Sequence, residues 1–525
     1  MRQMLHNGSR SPDEWKRQVA AVLDGWMPPK DLLFGAGCAG YQCEGGFNGK
    51  GQPQNQFARW EEKHHPSGSA TRFWDARWRD DLDLARDMSL SAFRMSVEWA
   101  RLFPSAARER RPRPELDASA LEHYATIVLG GQQRGLEPII TLHHFAHPGW
   151  LGVDAWVRDD SADEFLYFVD AVVRGLNQRL VSRGGRPVRW WITFNEPNTY
   201  LSMTYSVGIF PSETFRAFSM AWPVNLVRAT DILFATHVRA YDLIHRLHAE
   251  EGWAKPRVGL NPIVVDAYGL TRGILDLLSA RARNIDSDEA LDEHMQERAR
   301  SYHARLERIQ RFGKAGFARY VASVVRPMTR LPYSKLRRVR EALNASPHLC
   351  PMDYVGFDLY DPLLENLVWP PRSAVATWTW RHHPETLYES AHALADVIPN
   401  LPLFLMENGM AVERPMDGPA RARKDGWTRD RFLREHVLHF LQALKEGVPL
   451  CGYLHWAICD NFEWGSFTPR FGLHAVDYQD PERPRLCTDA AGTDAAGAYR
   501  AITTAVAAGD SQWLFDAFTA ESERS

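Results

Sequence analysis

The chain has 525 residues, 45% of them hydrophobic and 24% charged, a composition that suits a globular protein with a large core. A formal net charge of -3 gives no global attraction to nucleic acid, and no apolar run approaches the ~20 residues of a membrane-spanning helix. Cys38, Cys43, Cys350, Cys451, Cys459 and Cys487 lack metal-ligand spacing and mostly sit in apolar runs, which fits a reducing compartment and predicts a cytoplasmic protein.

The first thirty residues carry no apolar stretch of signal-peptide type and predict a short helical extension over 1–30. Apolar strand-like runs then recur near Leu32–Ala39, Ala92–Glu98, Pro138–His144, Arg189–Asn195, Arg257–Val265, Tyr354–Tyr360, Pro402–Glu407 and Leu450–Ile458. Longer amphipathic segments separate them, such as Ser161–Leu180, where Ser161 reads as a helix N-cap. Eight strands alternating with helices predict a single (β/α)₈ barrel over 31–510, with 511–525 as a C-terminal tail. The segment from about 269 to 350 is too long for a simple connection, so a helical insertion is expected between strands five and six.

Two of the apolar runs end in polar residues. "WWITFNEPN" closes on Asn195, Glu196, Pro197 and Asn198, and "PLFLMENG" on Glu407, Asn408 and Gly409. In a (β/α)₈ barrel the strand C-termini line the active site, so Glu196 and Glu407 are expected to face one pocket. Paired carboxyls suit glycoside hydrolysis, in which one protonates the leaving oxygen and the other acts ionised at the anomeric carbon. The 19 tryptophans and 25 phenylalanines mostly fill the core, but such rings also stack on sugar faces.

"TFNEPN" (Thr193–Asn198) and "MENG" (Met406–Gly409) resemble the paired signatures of family 1 glycoside hydrolases, the β-glucosidase and β-galactosidase family. "FGAGCAGYQCEGG" (Phe34–Gly46), "FRMSVEWARLFP" (Phe93–Pro104), "TLHHFAHPGWL" (Thr141–Leu151) and "WAICDNFEWGSFTPRFGLHAVD" (Trp456–Asp477) resemble further stretches of it, in the same order. The resemblance implies Glu196 as acid/base and Glu407 as nucleophile, with Arg94 and Tyr360 holding Glu407. It implies sugar contacts from Gln42, His144, Asn195, Glu463 and Trp464, and a stacking surface from Trp456. It implies neither metal nor cofactor, and a small-molecule β-glycoside as the partner. Glu463 should repel a 6-phosphate, so the expected substrates are unphosphorylated β-D-glucosides or β-D-galactosides. Transfer to an acceptor hydroxyl would use the same residues, and a carbohydrate-binding protein without turnover is the alternative from another class.

The sequence departs from the family pattern in three places. The strand-six motif, usually Asn-Tyr-Tyr, reads Asp358, Leu359, Tyr360. Asp358 could adjust the acid or pair with a local arginine, and the second reading is the expected one. Phe145 stands where Trp is usual, which predicts a changed pocket rim. Between Arg305 and Arg340 there are eleven lysines and arginines and one acidic residue, Glu307. Leu306, Ile309, Tyr320, Val321, Val324 and Met328 could form an apolar stripe there, opposite Arg308, Arg311, Arg319 and Arg326. That stretch reads first as a helical lid with solvated arginines, second as a surface for anionic membrane or a lipid-like aglycone, and last as a contact for nucleic acid. The oligomeric state is not legible.

Overall fold

The computed structural model describes residues 11–105, 114–213, 222–265, 267–285, 287–310, 335–360 and 376–520. Eight strands form the barrel: β1 Leu33–Gly37, β2 Ala92–Ser96, β3 Glu137–Thr141, β4 Trp190–Asn195, β5 Arg257–Asn261, β6 Val355–Leu359, β7 Leu403–Asn408 and β8 Leu450–Trp456. They run in the order β5-β4-β3-β2-β1-β8-β7-β6, with every pairing parallel. The ring closes between β5 and β6, where Asp353 N donates to Val258 O and Asp358 N to Pro262 O. An isolated parallel bridge between Ile263 and Asp358 completes the seam. Every residue of β2, β4, β6 and β7 is buried, because the strands are covered on both faces.

The alternation of strand side chains builds two cores. Ala92, Ile139, Trp190, Ile192, Tyr354, Phe404, Met406 and Leu454 plug the barrel interior. The other face of each strand meets the surrounding helices. The helix Ser161–Ser182 turns Phe165, Phe168, Val169, Val172, Val173, Leu176 and Leu180 inward at helical spacing. Ser161 is its first residue and not its cap, which is Asp160; the Ser161 hydroxyl donates to Ala155 O at 2.5 Å.

The N-terminal helix Pro12–Leu23 opens with a capping box between Ser11 and Glu14. Residues 511–525, expected as a tail, instead begin with the helix Ser511–Thr519, capped by Asp510 and burying Leu514 and Phe518. The Trp15 indole donates to Phe518 O at 2.7 Å, so the two ends of the chain pack together.

The segment after β5 folds into the helices Tyr268–Thr271, Gly273–Ser279, Asp288–Gln310 and Arg337–Ala345. Four of its arginines pair with acids: Arg305 with Glu389, Arg337 with Glu341, Arg338 with Asp159, and Arg340 with Asp288. Of the proposed apolar stripe and its opposing arginines, Leu306, Arg308 and Ile309 fall at the end of the helix Asp288–Gln310, while Arg311, Arg319, Tyr320, Val321, Val324, Arg326 and Met328 lie outside the described residues.

Candidate active site

Strand parity carries the plugged interior up to a polar floor. Arg94 sits two residues beyond Ala92, Thr141 beyond Ile139, and Trp456 beyond Leu454, each pair on the same face of its strand. At the carboxyl ends of β4, β6 and β7 the ladder shifts register, between Ile192 and Asn195, Phe357 and Asp358, and Leu405 and Asn408. Such irregularities re-aim side chains, and here they occur where Asn195, Asp358 and Glu407 turn towards one another.

Glu407 is held on both oxygens. Arg94 Nη1 lies 2.6 Å from Oε1, and the Tyr360 hydroxyl donates to Oε2 at 2.6 Å. Arg94 is itself fixed by Thr141 Oγ1 at 3.1 Å, Met406 O at 3.3 Å and Asn195 Oδ1. Burial pushes the Glu407 carboxyl up, while Arg94 and Tyr360 favour its charged form. Among the described residues no cation contacts Glu196. It is buried, has φ 33° at the start of the helix Pro197–Tyr205, and its N–H donates to Asn261 O at 2.9 Å. A non-glycine residue in that left-handed region is strained, and such strain concentrates at functional sites. Burial first, and then the charge of Glu407, push the Glu196 carboxyl up to about 8. Two neighbouring carboxyls thus differ in environment in the way that separates an acid from an anion.

One hydrogen-bond chain orients the amides. The arginine can only donate, so Asn195 Oδ1 is an acceptor and Asn195 Nδ2 faces His144 Nε2 at 3.4 Å. His144 therefore carries its proton on Nδ1, and burial together with Arg94 keeps its pKa well below the usual histidine range. Asn261 Nδ2 donates both to Asn195 Oδ1, at 2.8 Å, and to Asp358 Oδ2, at 2.5 Å. The arginine expected beside Asp358 is thus replaced by an amide: among the described residues no arginine contacts it.

The remaining expected residues line the same pocket. Gln42 Nε2 donates to Asn461 Oδ1 at 3.1 Å, which leaves Gln42 Oε1 without a hydrogen-bond partner among the described residues. The Trp456 indole donates to Glu463 Oε1 at 3.2 Å, and burial raises the Glu463 carboxyl to about 8. The His144 ring lies parallel to Trp456 and Trp464, with centroids 5.7 and 6.3 Å away. Trp464 packs with Phe57, Phe145 and Phe210 into an aromatic rim. Glu44 is structural: it is buried against Arg101 at 2.7 Å and accepts from the Tyr124 hydroxyl.

The sequence reading missed Asn261, Asn461 and Thr141. Asn261 ends the apolar run "RVGLN" on an amide, the same signal that marked Asn195. Among the described residues, Glu196, Asp358 and Glu407 form the one group with oxygens close enough, within 4.8 Å of one another, to hold a cation. Both oxygens of Glu407 are already engaged there, and Arg94 supplies the positive charge.

The model for glycosyl hydrolase family 1 matches residues 25–313 and 352–492. The match therefore extends into the segment read as inserted from about 269 and omits only 314–351 of it. A bifunctional beta-D-glucosidase/beta-D-fucosidase of Bifidobacterium breve is 27% identical, over 87% of this chain and 95% of that protein. A coniferin beta-glucosidase of Pinus contorta is 26% identical, over 89% of this chain and 92% of that protein. The solved family 1 b-glucosidase of Thermotoga maritima superposes with a TM-score of 0.65 at 19% identity, covering 91% of this chain and 98% of that one. With well over half of the chain matched in order on an eight-stranded parallel barrel, the chain belongs to glycosyl hydrolase family 1.

Proposed function

We propose that the protein is a retaining β-glycosidase that removes a terminal, unphosphorylated glucose or galactose. The observation that carries this reading is the approach of Glu196 and Glu407 oxygens within 4.8 Å, with Arg94 and Tyr360 on Glu407 alone. Retaining enzymes keep their carboxyls about 5–5.5 Å apart, whereas inverting ones leave room for a water at about 6.5–9.5 Å.

In the first step Glu196 gives its proton to the glycosidic oxygen. The bond from that oxygen to the anomeric carbon breaks as a Glu407 oxygen bonds to the carbon. Consuming the charge on Glu407 removes the repulsion that raised Glu196, which is left ionised. In the second step Glu196 takes a proton from water, the water oxygen bonds to the anomeric carbon, and Glu407 departs as carboxylate. Asn195 Nδ2, His144, Gln42, Glu463 and Trp464 supply polar contacts to the sugar, and Trp456 a face to stack on. A hydroxyl acceptor in place of water gives transglycosylation on the same intermediate.

A 2-fluoro glucoside with a good leaving group tests the reading. Mass spectrometry should find one sugar esterified to Glu407. An unlabelled protein that still binds glycosides would be a carbohydrate-binding protein without turnover. A panel of aryl and lipid β-glycosides, with and without added acceptors, then separates hydrolysis from transfer and glucose from galactose.

The basic composition of 305–340 supports a second proposal, that this stretch meets anionic membrane or guides a lipid-like aglycone. Vesicle sedimentation at low and high salt tests it, and salt-insensitive absence of binding leaves a packed lid. A cytoplasmic location is proposed from the six free cysteines.

A further inference from the structure

Asp358 brings a third carboxyl into the reacting pair. It is wholly buried on β6, and one of its oxygens lies within 4.8 Å of oxygens of both Glu196 and Glu407. The charged and titratable groups around it are Arg94 from β2, Glu196 from the end of β4, Glu407 from β7, and Tyr360 from just past β6. Arg94 is the one cation among them, and its contacts go to Glu407 and not to Asp358.

The hydrogen bonds distinguish the two oxygens of Asp358. Arg94 fixes Asn195 Oδ1 as an acceptor, so Asn261 must turn its Nδ2 to Asn195, and the second hydrogen of that amide reaches Asp358 Oδ2. Oδ2 is therefore an acceptor. Oδ1 is buried and has no hydrogen-bond partner among the described residues. With Glu196 protonated, an ionised Asp358 beside an ionised Glu407 would leave one buried negative charge uncompensated by the single guanidinium, which is strongly unfavourable.

We propose that Asp358 is a positioning residue of this site: a carboxylic acid with its proton on Oδ1, which offers the pocket a neutral hydrogen-bond donor and leaves Glu407 as the ionised carboxyl beside Arg94. The proposal deepens the glycosidase reading and rests on it. Burial first, and then the charge of Glu407, raise the Asp358 carboxyl well above the usual range, in the same direction. The charge on Glu407 is then opposed by no second anion, and Glu196 keeps its own proton without a competing carboxylate.

The test compares the wild-type protein with Asp358→Asn and Asp358→Leu. In the infrared difference between wild type and Asp358→Asn at pH 7, the C=O stretch of a protonated carboxylic acid should be present in the wild type. Carboxylate bands in its place would overturn the proposal. The Asn variant supplies a neutral donor of the same shape, so kcat on an aryl glycoside should stay within about threefold. Its alkaline limb should stay within about half a pH unit. A limb lowered by about one unit or more would mean that an ionised neighbour of Glu196 had been removed, which is the opposite assignment. The Leu variant keeps neutrality but lacks the donor and should lose about tenfold or more in kcat. Equal rates for Asn and Leu would remove the donor role. If the Leu variant does not fold, as judged by its melting transition, the infrared band and the Asn pH profile still decide. The infrared measurement needs no turnover: a protonated Asp358 with no sugar ester on Glu407 would sink the glycosidase reading and leave this assignment intact.

Discussion

Arg94 and Glu407 form a fully buried ion pair, 2.6 Å between Nη1 and Oε1, and the same guanidinium reaches Asn195. One cation thus fixes both the carboxylate that attacks in the proposed mechanism and the amide beside the acid. Arg94→Met keeps most of the volume and removes the charge. The Glu407 carboxyl would then move further up, since burial already raises it and Arg94 no longer favours its charged form. The expected result is a kcat lower by about 100-fold or more, with an acid limb moved up by more than about one pH unit. Arg94→Lys should also fail, because one ammonium cannot reproduce the contacts to Thr141, Asn195 and Met406 O together. An unchanged acid limb in either variant would show that Arg94 does not set the charge of Glu407.

The proton on Glu196 has a consequence for stability as well as for rate. An ordinary glutamate ionises near 4.5, whereas the folded protein keeps this proton up to about 8. Between those values the folded state binds more protons than the unfolded state, so Glu196 lowers stability as pH rises through that window. Glu196→Gln removes the penalty. Relative to wild type it should gain on the order of 1–4 kcal/mol between pH 5 and pH 8 in denaturant unfolding. A difference that does not vary with pH would place the proton elsewhere. Activity should fall on the alkaline side with an apparent pKa near 8, as the acid is lost.

Gly409 follows the "MEN" at the end of β7 for a steric reason. A Cβ built there would stand 2.2 Å from Trp456 O, a backbone atom that cannot yield cheaply. Gly409→Ala must push β7 and β8 apart at the level of Glu407 and Trp456. The expected cost is about 1–3 kcal/mol of stability. Loss of kcat should exceed what that destabilisation explains, because small misplacements of reacting groups are expensive. A folded Ala variant with wild-type kcat would separate this glycine from the geometry of the site.

Much of the architecture could be read from the sequence. The barrel strands are buried on both faces, so each appears as a short continuous apolar run, and all eight lie within a few residues of their expected positions. A carboxylate that ends such a run is more often a cap or a salt-bridge partner, so Glu196 and Glu407 were legible only through the motifs around them, "TFNEPN" and "MENG". The helix Ser511–Thr519 was not legible. It is short, follows a glycine turn at Gly509, and owes its place to the N-terminal helix, some five hundred residues away in sequence. The partner of Asp358 was hidden for a related reason. Asn261 is 97 residues distant, and the two meet only when β5 and β6 close the barrel. Proximity in sequence favours a nearby arginine; the closure seam supplies an amide.

Asn261 is the hinge of that network, and its removal provides the last prediction. Its Nδ2 joins Asn195 to Asp358, and its carbonyl oxygen accepts from the strained N–H of Glu196. Asn261→Ala keeps the backbone contact and deletes the amide. Asp358 Oδ2 then loses its donor, and Asn195 Oδ1 keeps only Arg94. Leaving a buried acceptor unsatisfied costs about 1–3 kcal/mol, so melting should fall modestly. The catalytic effect should be larger and selective. The family resemblance implies that Asn195 is the residue that contacts the sugar 2-hydroxyl, where contacts strengthen in the transition state, so kcat should fall by about tenfold or more with little change in KM. A 2-deoxy glycoside, which lacks that hydroxyl, should be hydrolysed at nearly equal rates by wild type and variant. Equal losses on the 2-deoxy and 2-hydroxy substrates would assign Asn261 to general packing and detach it from Asn195.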